Sequence, residues 1–157
     1  MRRLMLAASA TAILTASLTA AAQESFGTRE EARAMLAKTV AAVKADKAKA
    51  LEMINQGANG FLDRDLYPFC FDAVDGKIVA VTNPNAKSLL GKDERTLKDT
   101  AGKSYGQANY DAAQKPEGEI SEFSFLFPRP GADKTPVLKV VFITRVEGLG
   151  CGAGYYK

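Results

Sequence analysis

The apolar residues of this chain change their spacing once, near Leu66, and that switch limits the folds open to it. Upstream, Ala32, Met35, Leu36, Val40 and Val43 recur at helical intervals. Thr28-Arg29-Glu30-Glu31 precedes them with capping-box spacing, in which each end's side chain accepts from the other's backbone N–H. An amphipathic helix over residues 28–44 is predicted. Asp46 is placed to cap a second helix reaching residue 56, with Leu51 and Ile54 inward and Gly57 and Gly60 beyond its end.

Downstream, apolar residues alternate with the period of two that strands require. Residues 66–72 set Tyr67, Phe69 and Phe71 on one face, and Pro68 marks a strand start or a bulge because it cannot donate to a ladder. Asp75-Gly76 is a hairpin turn signal, and residues 78–82 return as a second strand. A polar, Lys-rich stretch over 83–118 follows, with short helices predicted near 96–97 and 105–114. Three more strands are predicted at 120–127, 137–146 and 149–156. In the last, Gly150, Gly152 and Gly154 share one face, while Leu149, Cys151, Ala153 and Tyr155 share the other. A glycine face lets a helix or ligand approach the backbone closely. Helices first and strands after give an α+β fold, one antiparallel sheet with helices packed on it.

Residues 1–22 read as a signal peptide. Arg2 and Arg3 form its positive end, an apolar run covers 4–18, and Ala20-Ala21-Ala22 supplies the small residues of a cleavage site before Gln23. A retained membrane anchor is the competing reading, but the run is short for a span and interrupted by Ser and Thr. Loss of the two arginines lowers the formal charge from +3 to +1. Such a balance has no electrostatic footprint for nucleic acid. Residues 23–157 are therefore expected to form a single exported domain, periplasmic or secreted, with no membrane span after cleavage.

The chain has no histidine and two cysteines. Ser-His-Asp and Cys-His catalysis, His-ligated zinc and His-ligated haem all require an imidazole, and a four-thiolate site needs more cysteines. Asp63, Asp65 and Asp72 are separated and near turns, as solvated or capping carboxylates are. Lys87, Lys92, Lys98 and Lys103 make a scattered basic face without interleaved aromatics. No helix follows the glycines of 150–154, so a phosphate loop lacks its context. No enzyme, catalytic residue, cofactor or metal site is expected.

Three features point to ligand binding, each beside a plainer reading. Lys139 lies mid-strand and shares a face with Val137, Val141 and Ile143. If that face is buried, the ammonium needs an anion; if it faces solvent, nothing needs explaining. Tyr67, Phe69, Phe71, Phe125, Phe127 and Tyr155 come from three strands, and they either ring a cavity or fill a core. Cys70 and Cys151, in an exported chain, are either a disulfide or two small buried hydrophobes.

Several short motifs, in order, resemble one family. They are Asp65-Leu66-Tyr67-Pro68-Phe69-Cys70-Phe71-Asp72, Asp75-Gly76-Lys77, Asn83-Pro84-Asn85, Gly91-Lys92, and Leu97-Lys98-Asp99 with Gly102-Lys103. Phe127-Pro128-Arg129-Pro130, Lys139 and Gly152-Ala153-Gly154-Tyr155-Tyr156 complete the series. Together they look like the single Cache domain (type 2), a PAS-like extracytoplasmic sensor of bacterial chemoreceptors and histidine kinases. The resemblance implies a five-stranded antiparallel sheet with a long N-terminal helix, short helices packed on it, and a ligand pocket on one face. It implies a small organic ligand, a carboxylate or amino acid. Lys139 and Tyr67 would meet its polar end, Phe69, Phe125, Phe127 and Val141 would line the pocket, and Tyr155 would contribute the closing strand. The family often carries Tyr and Trp where Phe125 and Phe127 stand here. The implied strand order sets residues 66–72 beside 149–156, which brings Cys70 opposite Cys151. A homodimer or a membrane receptor is the implied partner. The alternative is a structural or partner-binding periplasmic domain with a filled core and no small ligand.

Overall fold

The structure, a computed structural model, describes residues 26–157. The predicted signal peptide and its cleavage site lie outside the described residues.

The capping box at Thr28 starts helix α1, Arg29–Ala45, with both reciprocal bonds formed. Its buried stripe is Ala32, Met35, Leu36, Thr39 and Val43. Asp46 closes α1 and caps α2, Lys47–Gln56, by accepting from the Lys49 N–H. The strands are β1 (Tyr67–Asp72), β2 (Ile78–Val81), β3 (Ser121–Pro128), β4 (Pro136–Val146) and β5 (Leu149–Tyr156). Between β2 and β3 lie 3-10 turns at Pro84–Leu89 and Glu94–Thr96, and helix α3, Tyr105–Ala113.

The five strands form one antiparallel sheet in the order β2-β1-β5-β4-β3. Both of its faces are covered. On one side α1 and α2 bring Leu36, Val43 and Ile54 against Phe142, Val146, Leu149 and Ala153. On the other side Tyr105, Ala112 and Ala113 of α3 pack with Tyr67, Phe69, Phe71, Phe125, Val141 and Ile143. Pro68 is the second residue of β1 and lies beyond the β2 ladder, which stops at Phe69 opposite Val81. The bulge falls between Cys70 and Phe71 instead. Cys70 sits directly opposite Cys151 across β1 and β5, and the structure joins the two as a disulfide buried on the α1 side.

Candidate functional site

The site grows from two neighbouring rows of residues across the sheet. In one row Lys139 of β4 lies between Phe125 of β3 and Tyr156 of β5. In the next, Val141 faces Phe123 on one side and Gly154 on the other, and Gly154 in turn faces Tyr67 of β1. Gly154 leaves the gap that the Lys139 stem occupies. A Cβ there would stand 3.0 Å from Lys139 Cε and 2.3 Å from the Val140 carbonyl oxygen. Gly152 makes the same room for the Phe69 ring, which would lie 2.7 Å from an added Cβ. The glycine face of β5 thus admits a lysine stem and an aromatic ring.

Lys139 is 2% exposed. Among the described residues its ammonium has no hydrogen-bond or ion-pair partner. It sits 3.7 Å above the Tyr67 ring centroid, with Tyr156, Phe127 and Phe69 at 5.2, 5.7 and 5.9 Å. These ring faces attract a cation, but they do not replace a counter-ion. Burial therefore pulls the Lys139 pKa down to about 7, against the more distant carboxylates of Asp65 and Glu94.

Beside it runs a saturated hydroxyl network. Tyr156 Oη donates to the Pro128 carbonyl at 2.8 Å and lies 3.0 Å from Tyr67 Oη. Tyr67 Oη also accepts from Asn83 Nδ2 at 2.9 Å. Since the Tyr156 proton serves Pro128, Tyr67 is the donor between the two phenols. Burial raises the Tyr67 hydroxyl to about 12, so both phenols stay neutral. Asp65 is already committed: it accepts from the Gly27 N–H at 2.7 Å and pairs with Arg129 at 3.3 Å.

The opposite wall comes from the polar connection. Gly106 in the first turn of α3 lets that helix press on the 3-10 turn at Glu94–Thr96, where any Cβ would collide with the Glu94 carbonyl. This approach buries Glu94, and Asn109 Nδ2 donates to its carboxylate. Burial lifts the Glu94 pKa to about 7, against the Asn109 hydrogen bond. Asn109 Oδ1 is buried without a partner among the described residues. Tyr105, one turn earlier on α3, stacks on Phe125 with ring centroids 4.1 Å apart.

These walls enclose a cavity of about 40 Å³, lined by Tyr67, Phe69, Glu94, Leu97, Tyr105, Asn109, Phe125, Phe127 and Lys139 among others. Of the residues singled out from sequence, Tyr67, Phe69, Phe125, Phe127 and Lys139 meet there. Val141 is wholly buried in the same cluster but does not line the cavity. Tyr155 is a correction. Strand alternation turns it to the other face, where it packs against Phe142 and the α1 side. Tyr156 lies beside Lys139 instead. Its parity with Gly150, Gly152 and Gly154 was visible in the sequence. Glu94 carried no such signal, because it lies in a polar stretch that reads as surface; Asn109 stands at helical spacing with Tyr105, Ala112 and Ala113, the one signal that could have found it.

A family profile described as Single Cache domain 2 matches residues 8–155. The chain belongs to this family. Among curated proteins, none matches it. Several solved structures share the fold. A methyl-accepting chemotaxis protein from Vibrio parahaemolyticus is 23% identical, with a TM-score of 0.63 over 82% of this chain and 87% of that one. The periplasmic sensor domain of a chemotaxis protein is 23% identical, with a TM-score of 0.58 over 81% of this chain and 88% of that one. A Cache chemosensory domain solved to explain carboxylic acid recognition is 21% identical, with a TM-score of 0.56 over 81% of this chain and 86% of that one. This Cache chain has the five-stranded antiparallel sheet and helices expected of such a sensor domain. No helix among its described residues is long and apolar enough to cross a membrane.

Proposed function

We propose that this Cache chain is an extracytoplasmic sensor module that holds a small carboxylate in the aromatic cavity beside Lys139. One observation carries the reading: a buried ammonium without an anion opens onto a cavity. A buried charge is costly until it is paired, and a ligand carboxylate pairs it. The cavity volume corresponds to about three waters, the bulk of an acid with two or three carbons. Phe69, Phe125 and Phe127 supply apolar walls for its carbon skeleton. Tyr67 and Tyr156 present ring faces that hold the Lys139 ammonium in place. The structural likeness to a carboxylic-acid-recognising Cache domain supports the same class of ligand. The signal-peptide pattern and the likeness to a periplasmic sensor domain support an extracytoplasmic location. Occupancy of the pocket would then be passed to a membrane receptor partner, with no catalytic step.

The test is a thermal-shift titration of the purified chain with acetate, propionate, pyruvate and amino acids. Saturable stabilisation that disappears in Lys139→Met supports the reading, because a ligand that binds the native state alone raises its stability by mass action. Lack of any saturable shift across the panel refutes it and leaves the partner-binding alternative.

A further inference from the structure

Resting on the pocket reading above, we infer that residues 98–104 are a strap that gates entry to the Lys139 cavity, clipped to the free edge of β3 by the side chains of Asp99 and Lys103. Lys139 is 2% exposed, so an acid reaches its ammonium when a wall gives way. Of the residues lining the cavity, Leu89, Leu97 and Phe127 are half-buried and the rest are buried, which sets the way in between these three. Leu97 and Tyr105 flank the strap and both line the cavity. Phe127 lies on β3 beside the clipped edge.

The other walls are fastened more firmly. The turn at Pro84–Leu89 is tied down by Asn85, which donates to the Arg129 and Gly131 carbonyls, and by Lys87, which donates to the Asn55 and Val81 carbonyls. The turn at Glu94–Thr96 shares backbone bonds with the β1–β2 hairpin, through the Glu94 N–H to the Gly76 carbonyl. Helix α3 donates from Tyr110 and Gln114 to the Val74 and Ala73 carbonyls. The strap differs. Apart from half-buried Asp99 its residues are exposed. Its backbone bonds close on its own loop, with the Asp99 N–H on the Lys103 carbonyl and the Gly102 N–H on the Asp99 carbonyl. Gly102, at φ +81°, allows that tight return. Among the described residues two side-chain hydrogen bonds join the strap to the sheet. Asp99 Oδ2 accepts from the Leu126 N–H at 3.0 Å, and Lys103 Nζ donates to the Ser124 carbonyl. The other Asp99 oxygen accepts from the Ala101 and Lys103 N–H groups, so one carboxylate both folds the strap and clips it. Because β3 ends the sheet, its outer N–H and C=O groups take water when the strap lifts. Release breaks two hydrogen bonds and leaves no buried polar group behind.

Carbamylation of Lys139 by cyanate at pH 8.5, read by peptide mass spectrometry, measures access to the cavity without any bound ligand. The neutral amine adds to isocyanic acid to give a urea, and nothing leaves. Asp99→Ala removes a hydrogen bond to a charged acceptor and should speed Lys139 labelling at least about tenfold. Lys103→Met removes the other clip, should act in the same direction, and decides the matter if Asp99→Ala does not fold. Asn85→Ala loosens a different wall and should leave the rate within about threefold of the parent. Below the unfolding transition the rate should not depend on urea, as local opening requires. The clip is made with or without a ligand, so Asp99→Ala should also speed acetate dissociation, followed by NMR exchange, at least about tenfold while Kd stays within about threefold. Equal labelling in parent and clip variants overturns the strap. So does equal acceleration in Asn85→Ala, labelling that climbs with urea from the outset, or acetate dissociation that ignores Asp99. If no acid binds and labelling still follows the clips, the gate stands and the carboxylate reading falls. If acids bind and labelling ignores the clips, the reverse holds.

Discussion

Replacing Lys139 with methionine isolates the cost of holding a charge in an apolar cavity. Methionine keeps most of the stem and removes the ammonium. Burial takes the Lys139 pKa from 10.5 to about 7, which disfavours the charged form by roughly 5 kcal/mol. The four surrounding rings return part of this, on the order of 2 kcal/mol for a desolvated cation. Unliganded Lys139→Met should therefore be more stable than the parent by about 3 kcal/mol below pH 7, a rise in melting temperature of about 10 °C for a domain of this size. The pH dependence has a definite sign. Below about 7 the native lysine is charged and bears the full penalty. Between about 7 and 10.5 the unfolded chain still holds a proton that the native state has released, so parent stability rises with pH and the gap narrows. Melting curves at pH 5.5 and pH 9, with and without acetate, read both effects. Acetate should stabilise the parent, more so at pH 5.5, and leave the variant unmoved. A variant that melts below the parent at pH 5.5 without ligand would refute the uncompensated-charge argument.

The other expectations concern the frame around the cation. Gly152→Ala places a Cβ 2.3 Å from Ile143 and 2.7 Å from the Phe69 ring; it should cost about 1–3 kcal/mol in urea unfolding and weaken acid binding as the ring moves into the cavity. Normal binding in a folded Gly152→Ala protein would contradict that packing. Tyr67→Phe removes the bond to Tyr156 and the acceptor for Asn83, a loss of about 1–2 kcal/mol seen as a lower urea midpoint. An unchanged midpoint would mean that the phenol network adds nothing. The Cys70–Cys151 link spans a sequence separation of 81, so reduction should cost roughly 4–5 kcal/mol by loop entropy. Identical unfolding curves with and without reductant would show that the thiols are not bonded.

The fold was legible because two periods were written plainly. The capping box and apolar stripe of α1, the Asp75-Gly76 turn and the alternation in β3 and β5 each match their observed element within a residue or two. Which face of β4 Lys139 occupies was harder to read. The unbroken run Val140-Val141-Phe142-Ile143 already shows a strand covered on both sides, since all four are buried. On such a strand there is no solvent face for a lysine to use. The two remaining failures differ in kind. Tyr155 was assigned to the pocket against its own parity. Glu94 could not be found by period, because a 3-10 turn in a polar stretch has no apolar stripe, and its burial comes from the Gly106 approach of α3; Asn109 shares the buried α3 stripe of Tyr105, Ala112 and Ala113, but as a polar residue it was passed over. Pocket walls built by irregular connections are set by tertiary contact, beyond the reach of local pattern.

The distribution of buried polar groups separates the two faces of the sheet more sharply than their hydrophobicity does. On the α1 side such groups are closed on themselves. Thr39 Oγ1 donates to the Met35 carbonyl one turn back at 2.8 Å, Thr82 Oγ1 donates to the Ile54 carbonyl at 2.7 Å, and the cysteines consume each other. None of these leaves a valence open. On the α3 side, among the described residues, Lys139 lacks an anion, Glu94 lacks a cation and Asn109 Oδ1 lacks a donor, all in residues lining one cavity. Stability alone would replace each with an apolar residue of similar size, as substitutions of buried ion pairs elsewhere have been neutral or favourable. Three unmet polar groups thus gather at one cavity, and Ser121 Oγ on β3 is a further buried atom without a partner among the described residues, outside that lining. Such unmet polar groups fit the proposed carboxylate site, in which a ligand would supply the anion that Lys139 lacks.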